Sequence, residues 1–334
     1  MNHMFNIENK NILFICRNYF GYDSEILSVL KENNNVFHLI DVPYKSNFIK
    51  VLIRFFPTLF FYRTNKIYNR LISKSNHCDF DYVFVIIGET VSPKFLKEIK
   101  QTYPNAKLIL YIWDSINNNR QSLVSRFHLY DKIFCFQKED AKKYNINFLP
   151  LFYIDTFKNN NKNLKNLEYD LCFVGTAHAD RPMIVQDLLK EIGGTRKVFT
   201  FLYLQTEWLY WIYKILYSPY RKVNKNILNF NKISKEKIFE IYKNCKIILD
   251  IQHPKQTGLT IRTFEVLASG TKLVTTNSDI INYDFYDENQ ICVIDRKNPK
   301  IPDIFFDTKS ENNNPILIQN YSLNTWLNKI FKND

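Results

Sequence analysis

Short, almost continuously apolar runs alternate with stretches of helical apolar spacing along the chain. In the first part, the apolar runs occupy 11–16, 36–40, 82–87, 107–112 and 132–136. Runs that are apolar on both faces are typical of parallel strands covered by helices on both sides. Helical spacing occurs at 23–33, in part of 47–75, and at 92–102, 118–128 and 138–144. This alternation predicts a doubly wound α/β domain with a parallel sheet.

The same alternation restarts after KNNNKNLKN, a polar segment at 158–166 that is typical of a linker. Strands are predicted at 169–175, 197–204, 246–251, 272–276 and 290–295. Helices are predicted at 181–192, after 204, at 234–244, at 259–269 with Gly270 as its end, and at 321–331 with Ser322 as its N-cap. We therefore predict two Rossmann-like domains, 1–155 and 168–320, joined by a linker at 156–167 and followed by a C-terminal helix at 321–334.

Length and composition agree with two soluble-type α/β domains. The chain has 334 residues, of which 46% are hydrophobic, and this excludes an intrinsically disordered chain. No apolar run approaches the ~20 residues that span a bilayer, and the N-terminal MNHMFNIENKNILFIC lacks the features of a signal peptide. The six Cys residues include no CxxC pair, as suits a reducing compartment. We expect a cytoplasmic protein.

The net charge of +12 comes from two stretches. Residues 45–74 contain seven basic residues and no acid, and residues 195–225 contain six basic residues and one acid. Both are rich in Phe, Tyr, Trp and Leu. Such a mixture suits a membrane surface, core helices with solvated ends, or a nucleic-acid surface. Because no RNP, KH or zinc-finger motif occurs, we expect no nucleic-acid partner, and the first two interpretations stay open.

The segment DIQHPKQTGLTIRTFEVLASG, at 250–270, is the richest in candidate chemistry. A polar loop and a glycine lead into a helix whose first amides can bind a phosphate or diphosphate. Arg262 can add a charge-assisted contact, and Glu265, one turn on, suits a ribose diol. The alternative is a surface helix with an ordinary Arg–Glu pair. The order Gly–Leu–Thr–x–Arg–x–Phe–Glu–x–x–Ala–x–Gly, at 258–270, favours a functional site. The candidate nucleotide-binding residues here are His253, Gln256, Thr257, Gly258, Leu259, Thr260, Arg262 and Glu265.

A second candidate loop, GTAHADR at 175–181, follows a predicted strand and precedes a helix. Gly175 and Thr176 can bring backbone amides near a phosphate, and Arg181 can clamp a diphosphate. His178 is a candidate for a phosphate or sugar contact or for an acid/base. The alternative interpretation is that His178 is a solvated loop residue without a function.

Three strand ends of the N-terminal half supply candidates for a second substrate site. RNYFGYD, at 17–23, offers a tight turn at Gly21 with Tyr22 beside it. Glu89 and Asp114 each follow a predicted strand, and a carboxylate there can deprotonate an acceptor hydroxyl. Asp114 can equally cap the following helix, and Glu89 can equally pair with a basic side chain, so the base is left open.

The sequence contains neither HExxH nor clustered Cys and His, and His178 with Asp180 is too small a set for a metal site. The P-loop, GxSxG and GxGxxG motifs are also missing. We expect no metal.

The run GLTIRTFEVLASGTKLVTTN resembles the donor-nucleotide segment of GT-B glycosyltransferases, especially the spore-maturation-type and lipopolysaccharide or capsule enzymes. YDLCFVGTAHADR resembles the opening strand of their C-terminal domain, and NILFICRNYFGYDSEI and LILYIWDS are similar to their N-terminal strands. The resemblance covers nearly the whole chain and is more specific in the C-terminal half. One departure concerns a pair of Glu residues, separated by seven others, in many retaining enzymes: Glu265 matches the second, and Thr257 stands at the first.

This resemblance implies a transferase that binds a nucleotide sugar, with uridine diphosphate as the leading nucleotide, in its C-terminal domain. The acceptor would be a bacterial surface glycan, free or lipid-linked, held by the N-terminal domain across a cleft. No cofactor is expected, and the enzyme would sit peripherally on an anionic membrane, at the inner face of the cell membrane. The alternatives are a sugar-nucleotide epimerase on the same fold and a non-catalytic nucleotide- or nucleic-acid-binding protein.

Overall fold

Two compact units make up the computed structural model, which describes residues 4–46, 49, 52, 53, 56–73, 79–116, 121–158, 167–308 and 315–332. The first unit comprises Met1–Pro150 and Leu323–Asp334, and the second comprises Leu151–Ser322. Each unit contains one six-stranded sheet whose strand pairs are all parallel. The predicted α/β class with two doubly wound parallel sheets is confirmed.

The first unit has the strand order β2-β1-β3-β4-β5-β6. Its strands are β1 (Asn11–Cys16), β2 (Asn35–Ile40), β3 (Tyr82–Ile86), β4 (Lys107–Ile112), β5 (Lys132–Cys135) and β6 (Asn147–Phe148). Its helices are α1 (Tyr22–Lys31), α2 (Phe61–Ile72), α3 (Pro93–Thr102), α4 (Gln121–Val124) and α5 (Lys138–Tyr144), with 3₁₀ turns at Pro57–Phe60 and Phe127–Leu129. The order reverses between β1 and β3, and ligands of such sheets bind at the carboxyl ends of the strands beside that reversal.

The second unit has the strand order β12-β11-β10-β7-β8-β9. Its strands are β7 (Tyr169–Thr176), β8 (Val198–Tyr203), β9 (Leu228–Asn229), β10 (Cys245–Asp250), β11 (Lys272–Thr275) and β12 (Ile291–Val293). Its helices are α6 (Arg181–Ile192), α7 (Glu207–Leu216), α8 (Lys235–Lys243), α9 (Ile261–Ala268), α10 (Asp303–Asp307) and α11 (Pro315–Gln319). Short 3₁₀ turns lie at Asp155–Phe157, Ser218–Lys222, Lys225–Ile227 and Ser278–Asn282. This is the strand order of dinucleotide-binding folds, and its reversal lies between β7 and β10.

The last helix, α12 (Leu323–Phe331), packs on the sheet of the first unit. The Trp326 ring lies 4.6 Å from that of Tyr111, and the Phe331 ring lies 5.4 Å from that of Phe84. Both α12 aromatic residues are buried. The chain therefore returns to its first unit after completing the second.

The ten predicted strands are present with ends that agree within two residues. The predicted helix at 118–128 is wrong in extent: α4 and the 3₁₀ turn Phe127–Leu129 replace it, and 117–120 lie outside the described residues. β6 and β9 went unpredicted because two residues carry no periodicity. Of the predicted linker, 159–166 lie outside the described residues, while Phe157 is buried against Phe239 and Tyr242 in the second unit.

Backbone conformations with positive φ follow several strands at their carboxyl ends. Phe20 (φ 48°), Val42 (φ 62°) and Ile87 (φ 67°) follow β1, β2 and β3, and Ala179 (φ 52°) follows β7. Val and Ile are rare in this region because their β-branched side chains clash with the backbone. Each such residue costs about 1–3 kcal/mol and must be held by its surroundings. The loops at these strand ends are therefore held by specific contacts.

Candidate functional site

Asp250, the last residue of β10, lies at the centre of the strand ends in the second unit and is 1% exposed. It accepts hydrogen bonds from the hydroxyls of Thr260 (2.6 Å) and Thr263 (3.1 Å) and from Nη1 of Arg262 (3.1 Å). A buried carboxylate requires such partners. Asp250 therefore holds the start of α9 against the sheet.

Arg262 is held within the protein on two sides. Besides its bond to Asp250, its Nε donates to the Tyr242 hydroxyl at 2.8 Å, and its guanidinium lies 5.7 Å from the Phe173 ring centroid. Nη2 has no hydrogen-bond partner among the described residues, and it lies 3.6 Å from where a Cβ on Gly175 would stand. Of the Arg262 guanidinium, only Nη2 is therefore left for the predicted hydrogen bond to a diphosphate.

Gly175 and Thr176 end β7, opposite Leu202 and Tyr203 of β8. The predicted strand at 169–175 already included Gly175, and the observed strand extends one residue further, to Thr176. A side chain at 175 would stand 2.9 Å from the Phe173 ring. Glycine is therefore required here by the approach of Phe173.

Arg181, the first residue of α6, is a buried cation whose hydrogen-bond acceptors are all neutral. Its Nε donates to the Ile251 carbonyl at 2.6 Å and its Nη1 to the Thr176 hydroxyl at 3.2 Å. Burial, together with the nearby charge of Arg262, lowers the pKa of Arg181 to about 10. A buried charge without a direct anionic partner is costly, so an anion at this place would be stabilised.

His178 lies in the same loop, with its ring centroid 5.5 Å from that of His253. Its Nδ1 is buried and has no partner among the described residues. Burial, aided by the charge of Arg181, lowers the pKa of His178 to about 3. The side chain is neutral near pH 7, and a group with so low a pKa is a weak base. Of the two predicted roles, the geometry favours the contact over the acid/base.

The loop before α9 is pinned by side-chain to backbone hydrogen bonds. The Gln256 side chain donates to the Gly258 carbonyl at 3.1 Å, and Asn277 donates to the Thr257 carbonyl at 2.8 Å. The Leu259 side chain is buried in the core, and its contact with a nucleotide stays a prediction. Helix α9 begins at Ile261 rather than 259.

The first turn of α9 has no side-chain cap. Thr260 stands at the N-cap, yet its hydroxyl is donated to Asp250. The amides of the first turn are therefore not occupied by a capping side chain, as an anion site at a helix start requires. Glu265 is buried further along α9. Its bond to a ribose stays a prediction.

Arg296, which follows β12, joins four strand ends of the second unit. It donates to both carboxylate oxygens of Asp180 (2.6 and 2.8 Å), to the Gln252 carbonyl (2.7 Å) and to the Thr276 hydroxyl (3.3 Å). Burial acts to raise the pKa of Asp180, but the hydrogen bonds from Arg296 outweigh it and hold this pKa below its ordinary value. Asp180 is thus committed to Arg296. Within the described ranges, no three His, Cys, Asp or Glu side chains come together as a metal site.

Glu89 lies at the strand reversal of the first unit and is 7% exposed. Its carboxylate accepts a hydrogen bond from Nη1 of Arg17 at 3.1 Å. The structure therefore shows the alternative in which Glu89 pairs with a basic side chain. This ion pair links the loops that follow β1 and β3.

The loop carrying Glu89 is held by two further buried charges. Asp41, after β2, accepts hydrogen bonds from the amides of Glu89 (2.7 Å) and Thr90 (2.9 Å), and burial raises its pKa. Arg126 donates from Nη1 to the carbonyls of Gly88 (2.8 Å) and Val91. These contacts hold the strained backbone at residues 87 and 88.

Asp114 follows β4 on the same edge of the first sheet, and its Oδ1 accepts the Ser115 amide at 2.9 Å. The helix start it was expected to cap falls on 117–120, outside the described residues. The neighbouring Trp113 stacks on Tyr19 at 5.7 Å. The strand ends carrying Asp114 and the 17–23 loop therefore meet.

Gly21 forms the expected tight turn. The Tyr22 amide donates to the Tyr19 carbonyl at 2.8 Å, and Phe20 (φ 48°) and Gly21 (φ 84°) both have positive φ. A turn with two successive positive φ values is one that glycine accommodates readily. The Tyr22 ring lies 6.1 Å from that of Trp113. The relation of Gly21 and Tyr22 to an acceptor stays a prediction.

The fold and the C-terminal segment both match known proteins. A family model described as "Glycosyl transferase-like" matches residues 186–303. A crystal structure of a glycosyltransferase from Rickettsia africae has a TM-score of 0.57 and 12% identity, and covers 98% of this chain and 100% of that chain. No curated protein matches the chain in sequence.

Two further crystal structures have a similar fold. Anabaena HepE in complex with UDP-glucose has a TM-score of 0.58 and 10% identity, and covers 96% of this chain and 98% of that chain. Sucrose-phosphate synthase from Thermosynechococcus elongatus has a TM-score of 0.54 and 8% identity, and covers 97% of this chain and 95% of that chain. The chain has the GT-B fold of these structures. The segment that matches the glycosyl transferase-like family model contains Asp250, Arg262 and Arg296.

Sequence reasoning missed three charged residues at the strand ends: Asp41, Asp250 and Arg296. Each ends or closely follows a strand, so the rule that selected Glu89 and Asp114 would also have selected these. Their partners could not be found in the same way. The Arg296–Asp180 pair spans 116 residues of sequence, and no local pattern indicates such a pair.

The protein should lose stability in acid through His178. The folded state takes up this proton only near pH 3, and the unfolded state takes it up near 6.5, so acidification between these values favours unfolding. The free energy of unfolding should fall by up to about 2 kcal/mol between about pH 7 and pH 5 from this group. Urea unfolding at the two pH values measures the loss, which should shrink in His178→Gln.

The matched control is His128→Gln, at an exposed residue of the first unit, which should leave the pH dependence unchanged. An equal acid loss in wild type and His178→Gln would contradict the assignment.

Proposed function

We propose that this protein is a glycosyltransferase that takes a UDP-linked sugar in its second unit and passes it to a bacterial surface glycan, without a metal or other cofactor. The observation that carries the donor assignment is the buried Arg181, whose hydrogen-bond acceptors are all neutral. A diphosphate would supply the missing anion. The structure of HepE with bound UDP-glucose, on the same fold, supports this choice of nucleotide.

The chemistry follows from the donors at the strand reversal of the second unit. A departing diphosphate gains negative charge, and donors already directed at it lower the barrier to transfer. Arg181, Nη2 of Arg262, the amides of the α9 first turn and the unpartnered His178 are the groups that would meet this charge. Because Arg181 has only neutral hydrogen-bond acceptors, its positive charge can stabilise the leaving group without a metal ion.

The first unit would hold the acceptor at the carboxyl ends of β1, β3 and β4. Asp114 or Glu89 would take the proton from the acceptor hydroxyl, and the aromatic cluster of Tyr19, Tyr22 and Trp113 would border it. The resemblance to lipopolysaccharide and capsule enzymes favours a bacterial surface glycan, carried by a lipid. Such an acceptor would place the enzyme on the inner face of the cell membrane.

A transfer assay tests this function directly. The protein is incubated with a panel of UDP-sugars, with and without lipid-linked glycan acceptors, and the products are separated by mass. A glycosylated acceptor supports the proposal. An altered UDP-sugar formed without an acceptor would instead indicate the epimerase, and nucleotide binding with no turnover of any UDP-sugar would indicate a non-catalytic binding protein.

Arg181→Gln should weaken UDP binding about 10–100-fold, because a hydrogen bond from a charged donor contributes about 1.5–3 kcal/mol. Isothermal titration calorimetry with UDP measures the affinity, and uridine, which lacks the diphosphate, should bind both proteins equally. Arg196→Gln is the matched control, since Arg196 pairs with the exposed Asp307 of the same unit. A folded Arg181→Gln protein with wild-type affinity for UDP would rule out this diphosphate contact.

A further inference from the structure

Helix α7 turns an apolar face to solvent. Trp208, Trp211, Ile215 and Leu216 are 59%, 53%, 73% and 69% exposed, and Ile212 is exposed as well. Positions 208, 211, 212, 215 and 216 recur every three or four residues, so their side chains lie along one side of the helix. We call these five residues the α7 stripe. Soluble proteins rarely expose so much contiguous apolar surface without a partner for it.

The fold of the second unit does not use the α7 stripe. The other side of α7 packs into the core through Tyr210, which is buried, and through Leu209 and Tyr213. The Tyr210 hydroxyl donates to the Val223 carbonyl at 3.0 Å. The helix is therefore anchored by one side and presents the other as a rigid surface.

Positive charge follows the α7 stripe in the chain, in the 3₁₀ turn Ser218–Lys222 that comes directly after α7. Arg221 and Lys222 are exposed and have no salt bridge to any described residue, while Glu207, the one acid between 195 and 225, pairs with Lys225. Lys214 lies on the helix itself, 5.8 Å from the Trp211 ring centroid. Aromatic residues beside Lys and Arg are the composition of helices that lie in the interface of an anionic bilayer.

We propose that the α7 stripe inserts into the headgroup region of an anionic lipid bilayer, with α7 lying along the surface. Among the described helices, none is long and apolar enough to cross a bilayer, so the contact is peripheral. A second copy of the chain is the less suitable occupant, because symmetric pairing through the stripe would bring Arg221 and Lys222 of both copies together. The biological reason for this membrane contact rests on the proposed function, in which the acceptor is linked to a lipid. The contact itself does not require a bound substrate.

Vesicle co-sedimentation tests the contact with the full chain. Binding should be strong to vesicles of phosphatidylglycerol and phosphatidylcholine in equal parts, weak to phosphatidylcholine alone, and reduced by salt. Trp211→Ser with Ile215→Ser should weaken it about 30-fold through lost apolar burial. Arg221→Gln with Lys222→Gln should weaken it by about the same factor, from about fivefold for each charge.

Ile304→Ser is the matched control for Ile215→Ser. Ile304 is 72% exposed, against 73% for Ile215, but it lies between Asp303 and Asp307 of α10. Its substitution should leave vesicle binding unchanged. Circular dichroism and thermal melting verify that each variant folds.

Equal binding of wild type and Trp211→Ser/Ile215→Ser to the anionic vesicles would overturn the proposal. So would a dimer in solution that this variant abolishes, since the stripe would then be covered by a second copy. UDP affinity is measured on the same proteins and should be unchanged. A failure of vesicle binding with normal UDP affinity would therefore refute the membrane contact alone and leave the donor site intact.

Discussion

Replacing Arg262 with Ala is expected to lower the free energy of unfolding by about 3–5 kcal/mol, because Asp250 would keep a buried charge without its cation. The two side chains are joined at 3.1 Å and are 17% and 1% exposed. Urea unfolding followed by circular dichroism measures the loss. The expectation differs from that for an exposed helix residue, whose replacement by Ala changes stability by less than about 0.5 kcal/mol.

Two variants separate the charge from the lost side-chain volume. Asp250→Asn with Arg262→Met removes both charges and should restore most of the stability, since neutral replacement of a buried pair is often tolerated. Arg196→Ala, which breaks the pair with the exposed Asp307, should cost less than about 1 kcal/mol. If Arg262→Ala unfolds at the same urea concentration as wild type, the pair with Asp250 does not hold α9.

Asp114→Asn is expected to lower turnover about 10²–10⁴-fold while leaving UDP affinity unchanged, because Asp114 is the proposed general base and lies outside the proposed UDP site. Asp114 is preferred over Glu89 because its side chain is only partly buried, whereas Glu89 is buried and paired with Arg17. Initial rates at saturating UDP-sugar, with calorimetry for UDP, measure the two quantities separately.

Glu89→Gln preserves the hydrogen bond to Arg17 and should have the smaller effect on turnover. Glu98→Gln, on α3 of the same unit, is the control and should be fully active. A large loss in Glu89→Gln with full activity in Asp114→Asn would reverse the assignment. Full activity in both would mean that another group, such as the donor phosphate, takes the proton.

The strands were predictable because a strand buried on both faces must be apolar throughout. β3 and β4 show this: every residue is buried except Lys107, which begins β4. The strand ends were predictable for the same reason, and candidates such as Glu89, Asp114 and Arg181 came from them. What these side chains contact was not predictable. Arg262 looked like an open cation near a helix start, whereas in the structure Asp250 and Tyr242 hold it.

The sequence by itself determined two parallel α/β domains, the segments that carry their strand-end chemistry and the location of the excess positive charge, because each of these depends on local pattern and composition. Only the tertiary structure decided the strand order, and with it which strand ends meet: Arg17 with Glu89, and Arg296 with Asp180, are joined across 72 and 116 residues. It also decided which side of α7 faces solvent. That helix is apolar on nearly every side, so periodicity could not distinguish the side bearing Tyr210, which the core covers, from the side bearing Trp211, which it leaves exposed.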